Sequence, residues 1–376
     1  MKIAFDAKRV FHNFRGLGNY SRTLIEGLLK FYPHHEYHLY TPPFDDERAL
    51  EWQKKHPEAI IHTPKHLSSR IAHPLWRSFG LSSRLKKDGV ELYHGLTHEL
   101  PQGIDKLSVK KVVTIHDLIF MRFPDFFPWI DRQIYMRKFS YAAEVSDVVV
   151  AICEQTKQDI MEFLKVPEHK IRVVYQSCSP LFYETPGELA KTKLKEKYQI
   201  DRPVILFVGA LEKRKNVLTL VESFLRIKDQ VPHQLILVGN GKDYRKKIER
   251  KLIEYGIVSR VRILDSVPMH ELPTLYRISD LFAFPSFFEG FGIPIIEALY
   301  SEVPVITSQG PVFPEAGGDH SMYVDPSNAE ELAEGMLKII TDRKLHFDMS
   351  SKGRIFVEKF HWKETSKNMM NLYSEL

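Results

Sequence analysis

Short, apolar, β-branched runs alternate with amphipathic stretches of about a dozen residues from one end of this chain to the other. Strands are expected at 2–6, 37–41, 90–93, 112–115, 148–152 and 171–174, and again at 203–208, 234–238, 261–264, 280–284, 304–306 and 322–324. Between them lie helical patterns such as Tyr20, Leu24, Leu28 and Phe31, or Val217, Leu220, Val221, Phe224 and Ile227. This alternation produces βαβ units, hence α/β architecture with parallel sheets covered on both faces. Twelve strands exceed an ordinary doubly wound sheet, which usually has about four to six. The pattern pauses at 176–201 (QSCSPLFYETPGELAKTKLKEKYQID), which carries two prolines and a charged helix. Two Rossmann-like domains, 1–180 and 181–360, are therefore expected, facing one another across a cleft at the carboxyl ends of their strands. After Pro326 the chain reads as helices at 328–341, 344–359 and 362–376.

Composition narrows the function classes. Hydrophobic residues make up 43% of the 376 and charged residues 27%, which excludes disordered, collagenous and coiled-coil chains. Cys153 and Cys178 are the only cysteines and have no CxxC partner, so neither a disulfide scaffold nor a zinc site is expected. No apolar run approaches the ~18–20 residues of a membrane span, and Asp6 interrupts the first apolar run where a signal peptide would continue. A cytoplasmic location is expected. The net charge of +5 is spread evenly, with 26 Lys/Arg against 23 Asp/Glu in residues 1–190 and 27 against 25 in the rest, which argues against a nucleic-acid partner. Residues 65–87 (KHLSSRIAHPLWRSFGLSSRLKK) are the local exception, with six cations, no acid and apolar residues interleaved at near-helical spacing. They read as a surface helix with one face in the core, or as a face that meets anionic lipid on the inner face of the cell membrane or a phosphorylated acceptor.

Chemistry belongs in the loops after the strands. Gly16-Leu17-Gly18-Asn19 lies after the first strand and before a helix expected from Tyr20; it suits either a tight turn or close approach to an anion. Lys213-Arg214-Lys215-Asn216 follows the strand ending at Val208. There, a guanidinium fork and an ammonium suit a phosphate, and Asn216 suits a helix cap. Residues 282–297 (FAFPSFFEGFGIPIIE) run from a strand through Gly290 and Gly292 into a helix near Ile293-Pro294. Glu289 precedes the amides of Phe291, Gly292 and Ile293, and Glu297 lies one turn inside the helix, an arrangement able to hold several sugar hydroxyls. His94 and His98 have the spacing of a helical metal pair, but Gly95 and Pro101 indicate a loop without a third ligand; contact with a substrate is the better functional reading. Gly239-Asn240-Gly241-Lys242 lacks P-loop spacing.

The stretch 280–299 resembles the E-x7-E signature of the group-one retaining glycosyltransferases. The resemblance extends over essentially the whole chain through the first glycine loop, His116-Asp117, Arg214-Lys215-Asn216 and Val238-Gly239-Asn240-Gly241. Segments 93–101 and 114–120 are similar to those of mannosyltransferase-like members used in bacterial surface polysaccharide synthesis. The resemblance implies a GT-B fold whose C-terminal helix, about 361–376, returns to the first domain, with an acceptor-binding first domain and a nucleotide-sugar-binding second domain. It implies that Arg214 and Lys215 neutralise the leaving diphosphate, Glu289 and the 291–293 amides hold the donor sugar, and Glu297 holds the ribose. Gly16 and Gly18 would lie near the phosphates, His116 would contact the donor sugar, and His94, His98 and Asp117 would stand on the acceptor side. Asn216, Gly239 and Gly290 would complete the donor site, with the base near Val267, Pro268 and Met269. One departure is Gly209-Ala210, where the family commonly has Gly-Arg, so Arg214 is expected to supply the missing cation.

The implied reaction moves a hexose from a nucleotide-diphosphate sugar, GDP-mannose first and a UDP-sugar second, to a saccharide or lipid-linked acceptor. Asp45-Asp46 are the only adjacent acids in a loop and lie away from any strand end, so no DxD metal clamp, no metal and no cofactor are expected. Rival readings are a sugar-nucleotide epimerase or phosphorylase on the same fold, and a non-catalytic nucleotide-sugar-binding scaffold.

Overall fold

The first strand, β1 (Lys2–Asp6), buries Ile3 through Asp6 and pairs in parallel on both sides. Its partners are β2 (Glu36–Tyr40) and β4 (Leu92–Gly95), and the computed structural model describes residues 1–64 and 76–376. With β3 (Ile60–His62), β5 (Lys110–Ile115), β6 (Val148–Ala151) and β7 (Ile171–Val173), it forms a seven-stranded sheet of order β3-β2-β1-β4-β5-β6-β7. A second, six-stranded sheet contains β8 (Val204–Val208), β9 (Gln234–Val238), β10 (Val261–Leu264), β11 (Leu281–Phe284), β12 (Val305–Ser308) and β13 (Met322–Val324), in the order β10-β9-β8-β11-β12-β13. All pairings are parallel. Such strands, covered on both faces, read as continuous apolar runs, which is why Val148–Ala151 and Val204–Val208 are so plain in the sequence.

The chain divides into two units, Met1–Ser179 with Phe360–Leu376, and Pro180–Lys359. In the first unit, the helix Gly16–Phe31 and the terminal helix Trp362–Glu375 cover one face of the sheet. Met369, Met370, Leu372 and Tyr373 enter the same core as Phe5, Leu24 and Leu28. The other face is packed by Leu81, Leu85, Phe120, Phe139 and Ile160. Helix starts follow ordinary capping chemistry. Asn328 accepts from the amides of Glu330 and Glu331, and Asp342 from those of Lys344 and Leu345. Cys153 and Cys178 are both buried, unbridged thiols.

Three details depart from the sequence reading. β3 went unpredicted because it has only three residues, and Ile60 is 40% exposed at the sheet edge. Gly16 and Gly18 are not in a loop; the helix begins at Gly16 rather than Tyr20. A Cβ on Gly18 would lie 1.6 Å from the Asn13 carbonyl oxygen, so close packing of the preceding turn demands that glycine. Of the basic stretch 65–87, residues 65–75 lie outside the described residues. In the helix Leu81–Asp88, Leu81 and Leu85 enter the core while Arg84, Lys86 and Lys87 point outward, in keeping with the plain surface-helix reading. Arg77 is no surface cation: it is paired with Asp6 at 2.9 Å and with Glu99. Asp46 caps the helix Glu47–Lys55 and binds Arg48. Among the described residues no helix is long and apolar enough to cross a membrane.

Candidate functional site

In the second sheet, β8 connects outward to β9 on one side, while its other neighbour, β11, arrives much later in the chain. This reversal leaves a crevice at the carboxyl ends of β8 and β11, the usual ligand position in an open parallel sheet. Two loops enter it, 209–216 and 285–292.

Their side chains meet. Lys215 Nζ donates to Glu289 Oε1 at 2.7 Å, and Arg214 Nη1 stands 3.1 Å from Glu289 Oε2. Arg214 also donates to the Phe288 carbonyl at 2.7 Å and to Glu212 at 2.7 Å. The Lys215 ammonium sits 4.8 Å from the centre of the Phe284 ring, in cation–π contact. Lys215 and Glu289 are each only 8% exposed. Burial pulls the Lys215 pKa down, only partly opposed by the charge of Glu289. Burial pushes the Glu289 carboxyl up, yet the Lys215 and Arg214 charges overcome it and hold the carboxyl below its ordinary value. The pair is an ionised carboxylate with two cations on its two oxygens.

The rest of the loop is scaffold. Asn216 adopts a left-handed backbone (φ 56°), its amide donates to the carbonyls of Pro285 (3.1 Å) and Pro326 (2.6 Å), and its oxygen accepts from Thr219. It joins the two site loops, with both side-chain amide hydrogens committed to that scaffold. Gly239 serves the same end, since a Cβ there would lie 1.8 Å from the Gly209 carbonyl oxygen. Gly290, Phe291 and Gly292 form the turn into the helix Ile293–Tyr300, with Gly292 at φ 114°. Glu297, 7% exposed, faces inward from that helix and accepts from Tyr276 Oη at 3.0 Å. Burial raises its pKa to about 8, against the hydrogen bond from Tyr276. Val267 and Met269 are half-buried in the loop after β10.

In the first unit the structure separates residues that the sequence grouped. His94 is fully buried: Nδ1 lies 2.6 Å from Tyr373 Oη and Nε2 lies 2.8 Å from Thr114 Oγ1. Burial lowers its pKa to about 3. It is a neutral core histidine, so neither the acceptor-side nor the metal reading survives. His116 accepts from Gln176 Nε2 at 2.6 Å through Nδ1 and donates to the Leu96 carbonyl at 2.9 Å through Nε2. Burial lowers its pKa to about 4. As placed, both ring nitrogens are engaged, and His116 ties the loop after β4 to Gln176. His98, at φ 64°, stacks on Phe139 with ring centres 4.4 Å apart. Its Nδ1 accepts from the His116 amide, and burial with the His116 and Arg9 charges holds it well below the ordinary histidine range. Asp117 accepts from the Ile119 amide. Sequence reasoning missed Gln176, Tyr276 and Phe284, partners whose contacts only folding creates. Among the described residues no three His, Cys, Asp or Glu side chains converge to hold a metal ion.

Two parallel-sheet Rossmann-like units in this order form the architecture of the GT-B glycosyltransferases. Solved structures with the same fold include Anabaena HepE in complex with UDP, at a TM-score of 0.79 and 18% identity with both chains fully covered. Another is sucrose-phosphate synthase from Thermosynechococcus elongatus, at 0.80 and 20%, covering 100% of this chain and 98% of that one. A family model described as glycosyl transferases group 1 matches residues 190–356, and one described as glycosyltransferase family 4 matches 14–177. Both units thus match glycosyltransferase family models, and the chain is a glycosyltransferase. It is 26% identical to O-antigen chain mannosyltransferase B of Escherichia coli over the full length of both chains. It is 28% identical to O-antigen chain mannosyltransferase RfbU of Salmonella typhimurium over 72% of each.

Proposed function

We propose that this glycosyltransferase moves a hexose, with mannose from GDP-mannose the first candidate and a UDP-sugar the second, onto a saccharide or lipid-linked acceptor in surface polysaccharide assembly. Similarity to the two O-antigen mannosyltransferases supports the sugar and the pathway class, and a neighbour of the same fold that binds UDP keeps the second donor open. A cytoplasmic location goes with this reading. The second unit takes the donor and the first unit the acceptor.

The observation that carries the proposal is Glu289 bridged to both Arg214 and Lys215 at the carboxyl ends of β8 and β11. A nucleoside diphosphate leaving group gains negative charge as the bond to the sugar breaks, and preorganised cations lower that barrier. In the ligand-free chain Glu289 holds those cations in place. An arriving diphosphate takes over Arg214 and Lys215, and the carboxylate released from them accepts from sugar hydroxyls. The loop therefore couples diphosphate capture to sugar orientation. Glu297 then holds the ribose. In the transfer, the sugar C1–O bond to phosphate breaks and a C1–O bond to the acceptor hydroxyl forms on the same face, with the hydroxyl proton passing to the departing phosphate oxygen. No protein nucleophile takes part.

Glu289→Ala and Lys215→Ala are each expected to cut transfer by about 10²–10³-fold, the scale of losing one charge-stabilising group. Turnover with a lipid-linked saccharide acceptor measures it. Wild-type rates in both variants would overturn the assignment.

A further inference from the structure

The first sheet has its own reversal. β1 is flanked by β2, which follows it directly, and by β4, which comes later, so the carboxyl ends of β1 and β4 frame a second crevice. Lys8 and Arg9 leave the end of β1 there, while His98 and Glu99 follow β4.

The charges at this crevice do not cancel. Asp6 accepts the Lys8 amide on one oxygen (3.2 Å) and Arg77 Nε on the other (2.9 Å). Glu99 is likewise taken, by Arg77 on one oxygen and by Lys138 at 3.0 Å on the other. Both carboxylates are thus committed to Arg77 and Lys138. Among the described residues neither the Lys8 ammonium nor the Arg9 guanidinium has a carboxylate partner, although both side chains are partly buried. Burial, Arg77 and Arg9 together depress the Lys8 pKa, with Asp6 and Glu99 only partly opposing them. Arg9 also lies near enough to His98 to depress its pKa, so the flanking imidazole is neutral. Two neighbouring cations that no carboxylate of the described residues pairs directly are held against their own repulsion. An anion carrying two charges would relieve it, and a guanidinium fork beside an ammonium fits phosphate oxygens.

We propose that the crevice between the ends of β1 and β4 binds a phosphate or diphosphate carried by the acceptor, with Lys8 and Arg9 as its ligands. This rests on the proposed transferase reading and names its acceptor class: a saccharide attached to phosphate, whether a free sugar phosphate or a lipid-linked diphosphate.

Calorimetric titration with inorganic pyrophosphate tests the site directly on the wild-type chain, on Lys8→Gln/Arg9→Gln and on Lys215→Ala. The wild type should bind two equivalents, the double variant should lose one, and Lys215→Ala should lose the other. Wild-type stoichiometry in the double variant overturns the proposal. A single wild-type site abolished by Lys215→Ala also overturns it. If the double variant loses a site while Lys215→Ala loses none, this proposal stands and the donor-site reading fails. Circular dichroism checks folding, and Lys8→Arg/Arg9→Lys should restore binding. In transfer kinetics, the double variant should raise KM at least tenfold for a phosphorylated acceptor and leave a neutral methyl glycoside unchanged. Comparing a sugar 1-phosphate with a lipid diphosphate saccharide identifies the source. An equal loss with the neutral glycoside would overturn the assignment.

Discussion

Glu297 shows how far one residue's chemistry depends on its surroundings. In the sequence it is one of many carboxylates; in the folded chain it is buried, bonded to Tyr276, and its pKa is moved from 4.5 to about 8. Between those values the folded chain keeps a proton that the unfolded chain has lost. Its contribution to stability is therefore complete below the unfolded carboxyl pKa and is lost as pH rises towards 8, at about 1.4 kcal/mol per pH unit. Glu297→Gln removes this titration. Chemical denaturation from pH 5 to 8 should show the wild type losing stability that the variant keeps; equal slopes would refute the buried acid. If Glu297 holds ribose hydroxyls as a carboxylate, nucleotide binding at pH 7 should release a proton. Calorimetry in two buffers of different ionisation enthalpy measures that release, and identical heats would remove Glu297 from the site. By contrast, the pairing of Glu289 with Lys215 was only half legible: the residue types and strand-end positions were visible, but the 2.7 Å contact between loops 74 residues apart was not.

At the scale of elements, the sequence located twelve of the thirteen strands to within a few residues, and the three C-terminal helices as well. Their apolar periodicity is written locally. What an element packs against is not local, and His94 is the instructive case. Its i, i+4 spacing to His98 suggested shared chemistry, whereas β4 turns it inward to join the terminal helix through Tyr373. A neutral imidazole, donating from one nitrogen and accepting at the other, suits the hydroxyls of Tyr373 and Thr114. Tyr373→Phe leaves the imidazole Nδ1 without its hydroxyl, at a cost of about 1–3 kcal/mol. Urea denaturation should show that loss; an unchanged midpoint would mean that the terminal helix is held by its methionine and leucine packing alone. The pKa values of His94 and His116 lie far below the ordinary 6.5, so the unfolded chain binds more protons below that pH. Their contribution is present above pH 6.5 and is lost as pH falls towards 4 and 3. His94→Gln should flatten the acid limb.

For the whole molecule, the two sheets repeat one feature: strand order reverses beside β1 and beside β8, the usual ligand position in an open parallel sheet. In the second unit the cations share a carboxylate partner, and in the first Lys8 and Arg9 have none among the described residues. Because Arg214 and Lys215 are offered as the diphosphate clamp, transfer is expected to survive EDTA. Complete loss of activity, restored by Mg²⁺ or Mn²⁺, would contradict that division of labour. A thermal-shift panel of nucleotide sugars should single out the donor, since selective binding at a hundred times Kd stabilises the fold by about 2.7 kcal/mol. Equal shifts for every nucleotide sugar would show that the site does not choose. The amino-acid sequence alone determined the α/β alternation, the division near residue 180 and the strand-end loops that carry the candidate groups, because hydrophobic period and turn chemistry act over a few residues. Only the tertiary structure showed which of those groups face one another at a strand end and which are locked into the scaffold. Asn216, Gly18 and His94 became structural, and Lys8 and Arg9 emerged from the start of an unremarked short helix. Partners hundreds of residues apart are chosen by how sheets and helices pack, and no local period in the chain records that choice.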